Sequence, residues 1–170
     1  MKALIFDVYG TILSSDSNCS VSRPGFLEIQ AHFSDLPFIA FSDAPENVVC
    51  LDLETSHILK YFSKVYSERN CPYTWSEPIR TKSVPLPKNG YYKNLGTVLE
   101  DFCLNPKDCV FIGDNHQGVD AFSASFFNIP FIHVPQFRLK PSDSLVSGVY
   151  YDPDFDFYKG IIEKVMLTNE

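Results

Sequence analysis

Three short apolar runs in this 170-residue chain end in residues that can do chemistry. Ala3–Phe6 ends at Asp7, Phe38–Phe41 at Ser42-Asp43, and Val110–Ile112 at Gly113-Asp114-Asn115. In an open parallel sheet a ligand site lies outside the carboxyl ends of the strands, so these residues, far apart in the chain, are expected to meet. Two carboxylates in one cleft repel each other unless a cation lies between them. Oxygen donors with water suit a hard ion such as magnesium. Such an ion beside a hydroxyl and a lysine binds a phosphoryl group and offsets its charge.

The elements that must hold these residues follow from the apolar pattern. Runs that are apolar throughout suit a parallel sheet covered on both faces. Phe131–Val134 is a fourth such run, and a weaker fifth strand passes through Lys64-Val65-Tyr66. Between them lie helical spacings: Leu95, Val98, Leu99 and Phe102, then Tyr158, Ile161, Ile162 and Val165. Val119, Phe122 and Phe126 predict a further short helix, and Pro24 and Pro45 suit first helical turns. Alternating strands and helices predict an α/β fold, a doubly wound, Rossmann-like and mainly parallel sheet of about five strands. The chain reads as a single domain over 1–170. Residues 14–23 are polar and read as a flap loop. Residues 68–87 hold Pro72, Pro78, Pro85 and Pro87 with Tyr73 and Trp75, and read as an irregular insertion or small lid.

Phe6-Asp7-Val8-Tyr9-Gly10-Thr11-Ile12-Leu13 resembles the first motif of the haloacid dehalogenase superfamily. Ser42 at its strand end resembles the second motif, Lys88 the third, and Val110-Phe111-Ile112-Gly113-Asp114-Asn115 with Asp120 the fourth. Arg23-Pro24-Gly25-Phe26-Leu27 is similar to a helix start common in that family. The resemblance runs from Lys2 to about Val134, and its specificity lies in the order and spacing of all four motifs.

What the resemblance implies is a phosphohydrolase site. Asp7 would be the nucleophile that forms an aspartyl-phosphate. Asp7, the backbone carbonyl of Tyr9 and Asp114 would hold magnesium, with Asp120 supporting the ion. Ser42, with Thr11, Asp43 and Asn115 beside these motifs, would contact the substrate. Lys88 would neutralise nucleophile and phosphate, with Lys93 as its rival; read alone, Lys93 is a solvated surface lysine. Asp120 is equally readable as a first-turn helix carboxylate. Tyr9 stands where the phosphatase branch carries a second aspartate, its general acid and base. Gly118 stands where the usual second aspartate of the fourth motif falls. His116, two residues past Asp114, offers another proton carrier. The chain has no room for a full cap domain, and capless members act on large substrates or borrow a neighbouring subunit as lid.

Composition narrows the partners. The formal net charge is −7 and no Lys/Arg run forms a stripe, so nucleic acid is not expected as a partner. The amino terminus is not a signal peptide and no segment is long enough to span a membrane. The five cysteines form no C-x-x-C pair, which points to a reduced, cytoplasmic chain. An aromatic content of 15% with no cap favours a homo-oligomer. The expectation is a magnesium-dependent phosphohydrolase with a phosphorylated substrate. Its alternatives are a binding or regulatory protein that has lost turnover, and a carbon–halogen hydrolase, for which Arg23 is the only arginine near the early motifs.

Overall fold

The computed structural model describes residues 1–16, 21–74, 87, 90–115, 118–140 and 151–168. Lys88, His116 and Trp75, the tip of the expected flap and most of the expected lid lie outside the described residues. Five strands make one parallel sheet: β1 (Ala3–Asp7), β2 (Phe38–Phe41), β3 (Phe62–Tyr66), β4 (Cys109–Gly113) and β5 (Phe131–His133). Their order is β3-β2-β1-β4-β5. From the central β1 the chain winds first to one side and then to the other. That reversal opens a crevice beyond the carboxyl ends of β1 and β4.

Side-chain alternation sorts the strands onto two cores. Leu4, Phe6, Phe38, Ala40, Val110 and Ile112 face one side. There they meet α1 (Phe26–His32), α2 (Glu46–Thr55) and α5 (Phe157–Thr168) through Phe26, Ile29, Val49, Leu53, Ile161 and Val165. Ala3, Ile5, Ile39, Phe41, Cys109 and Phe111 face the other side. They meet α3 (Leu95–Asp101) and α4 (Val119–Phe126) through Leu95, Val98 and Ala124. β1, β2 and β4 are buried throughout, which is why they read as unbroken apolar runs. β3 is an edge strand whose Ser63 and Lys64 are exposed, which is why its sequence signal is weaker.

The helix starts differ from the proline expectation in detail. Pro45 is the N-cap of α2 rather than a residue of its first turn, and Pro24 precedes Gly25, the N-cap of α1. Among the described residues no helix is long and apolar enough to cross a membrane.

Phe26 joins α1 to the sheet. It is fully buried, and its ring meets Phe6, Phe38 and Phe62 at centroid distances of 5.9, 6.1 and 5.6 Å. Truncating such a ring removes its transfer energy and leaves a cavity. Phe26→Ala is expected to lower unfolding stability by about 3–5 kcal/mol in urea titration; a loss under about 1 kcal/mol would show that α1 contributes little to the core.

Candidate active site

Asp7 closes β1 with the parity of Ala3 and Ile5, so its side chain leans toward the α3/α4 face. Two charged residues wait at the starts of those helices. Lys93 lies just before α3, and Asp120 is in the first turn of α4. The Lys93 ammonium bonds Asp7 Oδ1 and, at 2.7 Å, Asp120 Oδ1. Asp114, one residue past β4, completes the group: Asp7, Asp114 and Asp120 offer carboxylate oxygens within 4.8 Å of one another. All four side chains are buried.

The burial of Lys93 overturns its reading as a surface lysine. The short segment before α3 explains how it is held. The Tyr92 ring packs on α4 against Phe122, Phe126 and Phe127 at 6.2, 5.3 and 6.1 Å. The Lys93 amide donates to Ser123 Oγ at 2.9 Å, and Tyr91 donates its hydroxyl to Asp43. Neighbouring residues thus anchor on α4, the Asp7 cleft and the β2 loop, and leave the Lys93 stem little freedom. The signal was present in the sequence. Lys93 stands two residues before the first apolar residue of α3, on the face that carries Asp7.

Two glycines make room for the carboxylates. Gly10 has φ +82°, and a Cβ there would lie 2.3 Å from Asp114 Oδ2. A Cβ on Gly113 would lie 2.5 Å from Asp120 Oδ2. A side chain at either position would push its carboxylate aside, and at Gly10 the positive φ disfavours one in any case, so both glycines serve the packing of the acids.

The other expected site residues divide. Asp43, Asn115, Tyr9 and Asp120 line a cleft of about 210 Å³ together with Asp7, Lys93 and Asp114. Thr11 does not line it; its hydroxyl is fully buried and donates to Asp7 Oδ2 at 3.0 Å, so it orients the carboxylate instead of meeting substrate. Ser42 is also fully buried and off the cleft wall, and its Oγ accepts from the Ala44 amide at 3.1 Å, bracing the turn after β2. Tyr9 reaches the cleft, but its hydroxyl donates to Asp52 of α2 at 2.7 Å. Arg23 is placed elsewhere, among phenylalanines, and contributes nothing to this cleft. Gln136 was not anticipated: it lines the cleft, and its Nε2 donates to Asp114 Oδ2 at 3.0 Å. It stands past the fourth apolar run, where no motif marks it.

Three carboxylates share one ammonium, an excess of negative charge in a buried place. Burial and then the neighbouring Asp120 hold the Asp7 carboxyl well above the usual range, although Lys93 pulls it down. The same two causes lift Asp114 from 3.8 to about 7. Lys93 is penalised by burial, but Asp120 and Asp7 outweigh this and keep it charged well past its ordinary range. Asn115, which lines the same cleft, has an Oδ1 that is buried with no hydrogen-bond partner among the described residues. An all-oxygen donor set, repelling carboxylates and an unused carbonyl together fit a hard divalent cation.

No known family's sequence profile matches the chain, and no curated protein matches it in sequence. Solved structures do match in shape. An uncharacterised protein from Listeria monocytogenes serotype 4b superposes with a TM-score of 0.64 at 16% identity, covering 99% of each chain. A subfamily IA hydrolase of the HAD superfamily from Geobacter sulfurreducens gives 0.59 at 16% identity, over 97% of this chain and 96% of that one. The L-2-haloacid dehalogenase of Xanthobacter autotrophicus gives 0.58 at 12% identity, over 82% and 79%.

The raised carboxyl of Asp114 sets a sign for stability without metal. Its folded pKa lies above its unfolded value, so its contribution is full below about pH 4 and is lost as the pH rises through about 7. In chelator, Asp114→Asn is therefore expected to be more stable than the parent at about pH 8, by on the order of 2 kcal/mol, with the gap closing at low pH. Urea unfolding across pH checks this; an Asn variant less stable at high pH would contradict it.

Proposed function

The chain has the haloacid dehalogenase-like fold, and from that premise we propose that it is a magnesium-dependent phosphohydrolase acting through an aspartyl-phosphate. The observation that carries the proposal is the Lys93 ammonium set against Asp7 with Asp114 and Asp120 within 4.8 Å. Magnesium would be held by Asp7, Asp114 and Asp120, with Asn115 as a further oxygen donor, and when bound would offset the charge of three carboxylates and a phosphoryl group.

In this reading a carboxylate oxygen of Asp7 attacks phosphorus. The new oxygen–phosphorus bond forms as the ester bond breaks, and the electron pair leaves on the ester oxygen. Thr11 and Lys93 each hold one Asp7 oxygen, which fixes the carboxylate plane before substrate arrives. Lys93 also lies where charge gathers on the transferring group. Water then attacks phosphorus, the bond to Asp7 breaks, and the carboxylate is restored. Gln136 fixes Asp114 and the Asn115 amide fixes Asp120, at 3.0 and 3.3 Å, so both are oriented from outside the cleft.

Proton transfer is the weak point. An unperturbed phenol ionises near about 10, so Tyr9 is a poor acid–base group at neutral pH. Its hydroxyl is moreover engaged by Asp52. The lost assistance corresponds to roughly 10²–10⁴-fold in rate. Leaving groups that depart without a proton, such as activated phenols, lose least. A phosphorylated substrate, a cytoplasmic setting and a homo-oligomeric state belong to the same proposal. One observation favours a second reading, a binding protein without turnover: the position of the general acid is filled by Tyr9 with its hydroxyl turned to Asp52.

An aryl phosphate with added magnesium is expected to be hydrolysed measurably, and Asp7→Asn to abolish the activity. Tyr9→Asp is expected to raise the rate, by up to about 10²-fold. Steady-state assays decide. Hydrolysis unchanged in Asp7→Asn removes the aspartyl-phosphate, whereas magnesium-dependent stabilisation with no turnover across a phosphate panel selects the binding protein.

A further inference from the structure

We propose that a second cleft, built around Arg23, binds a carboxylate carried on an apolar body. The cleft measures about 340 Å³, and its walls include Arg23, Phe137, Arg138, Leu139, Tyr151 and Phe155. It is separate from the Asp7 cleft but shares Gln136 with it as a wall. The inference does not depend on the hydrolase reading.

Arg23 is only 5% exposed, yet it forms no ion pair and its hydrogen bonds account for one nitrogen alone. Nη1 donates to the backbone carbonyls of Thr11 at 3.2 Å and Pro135 at 2.8 Å. The edge formed by Nε and Nη2 has no protein partner among the described residues. Nor is that edge sealed in the core. Asn115 Oδ1 is the one fully buried side-chain polar atom left unpartnered among the described residues, so the unpaired edge of Arg23 keeps contact with solvent, and the cleft that Arg23 lines is the opening beside it.

Asp114 and Asp152 act on the guanidinium from a distance, but among the described residues no carboxylate is in contact with it, and a buried charge without a contact partner is unfavourable unless something else supplies one. Burial lowers the Arg23 pKa from 12.5 to about 10, even against the pull of Asp114 and Asp152. A purely structural bracket between two carbonyls would explain Nη1 and leave the other edge unused.

The surroundings select the ligand's shape. The rings of Phe157, Phe155 and Phe137 stand 4.5, 5.3 and 5.6 Å from the guanidinium carbon, each within cation–π reach. What remains is an edge with parallel donors, the complement of a planar two-oxygen anion. Phe137, Phe155 and Leu139 offer apolar surface to the rest of the molecule. Asp152 lines the same cleft and repels a doubly charged group, which favours a carboxylate over a phosphate. Arg138 does not compete for the anion with full freedom, because its Nε is held by Asp16 at 3.1 Å.

Phenylacetate is a suitable probe, with 2-phenylethanol as its uncharged counterpart. In a ¹H–¹⁵N titration of the full chain, phenylacetate is expected to shift the Arg23 Nε–H resonance and the amides of Phe137, Tyr151 and Phe155 saturably. Phenylethanol is expected to bind at least about tenfold more weakly, and Arg23→Lys to lose about as much. Because Arg23 also braces two loops, a second variant is needed: Leu139→Trp fills the cleft from its exposed side and should abolish the shifts with the fold intact. The shifts should persist in Asp7→Asn, which separates this site from the fate of the hydrolase reading. The proposal is overturned by no saturable shift in the parent chain, by equal binding of phenylethanol, by shifts confined to the Asp7 cleft, or by binding unchanged in folded Leu139→Trp.

Discussion

Burying three carboxylates against one ammonium is the constraint around which the rest of this molecule is arranged. Asp7, Asp114 and Asp120 meet within 4.8 Å, and among the described residues Lys93 alone supplies positive charge in contact with them. Left to themselves these groups would separate or take up protons. They are kept together by elements that have no choice of position. β1 and β4 are adjacent and parallel, so Asp7 and Asp114 leave the sheet side by side. α3 and α4 both pack on the face toward which Asp7 leans; Lys93, just before α3, bonds Asp7, and Asp120, in the first turn of α4, bonds Lys93. The glycines at 10 and 113 remove the atoms that would otherwise push the carboxylates apart. The repulsion that remains is the kind that a bound cation would relieve.

This constraint also explains which parts of the molecule were legible in the sequence. Strands buried on both faces carry no alternation to disguise them, so β1, β2 and β4 and the acids at their ends stood out as apolar runs stopped by Asp. β3, half exposed at the sheet edge, was faint for the opposite reason. Motif spacing left Lys88 and Lys93 as rivals; Lys88 lies outside the described residues, whereas strand parity and the distance from Lys93 to the start of α3 account for the burial of Lys93 against Asp7. Thr11 and Ser42 had the right chemistry for phosphate, but hydroxyls next to a strand end have local partners to satisfy first. Gln136 left no trace at all, since its partner Asp114 is brought to it only by the pairing of β4 with β5.

Position 9 can be understood from the same charge balance. An aspartate there would add a fourth carboxylate to a cleft that already raises the carboxyl of Asp114 to about 7. Tyrosine adds none, and its hydroxyl is hydrogen-bonded outward to Asp52 on α2. The Tyr9 side chain thereby spares the metal-free fold a further buried repulsion. It also ties the loop after β1 to α2. That loop is held again by the Phe137 amide on the Gly10 carbonyl at 2.6 Å and by Arg23 on the Thr11 carbonyl. Three anchors from three elements therefore fix the segment that presents Asp7. A carboxylate whose neighbouring backbone is pinned in this way has its orientation set before any ligand binds.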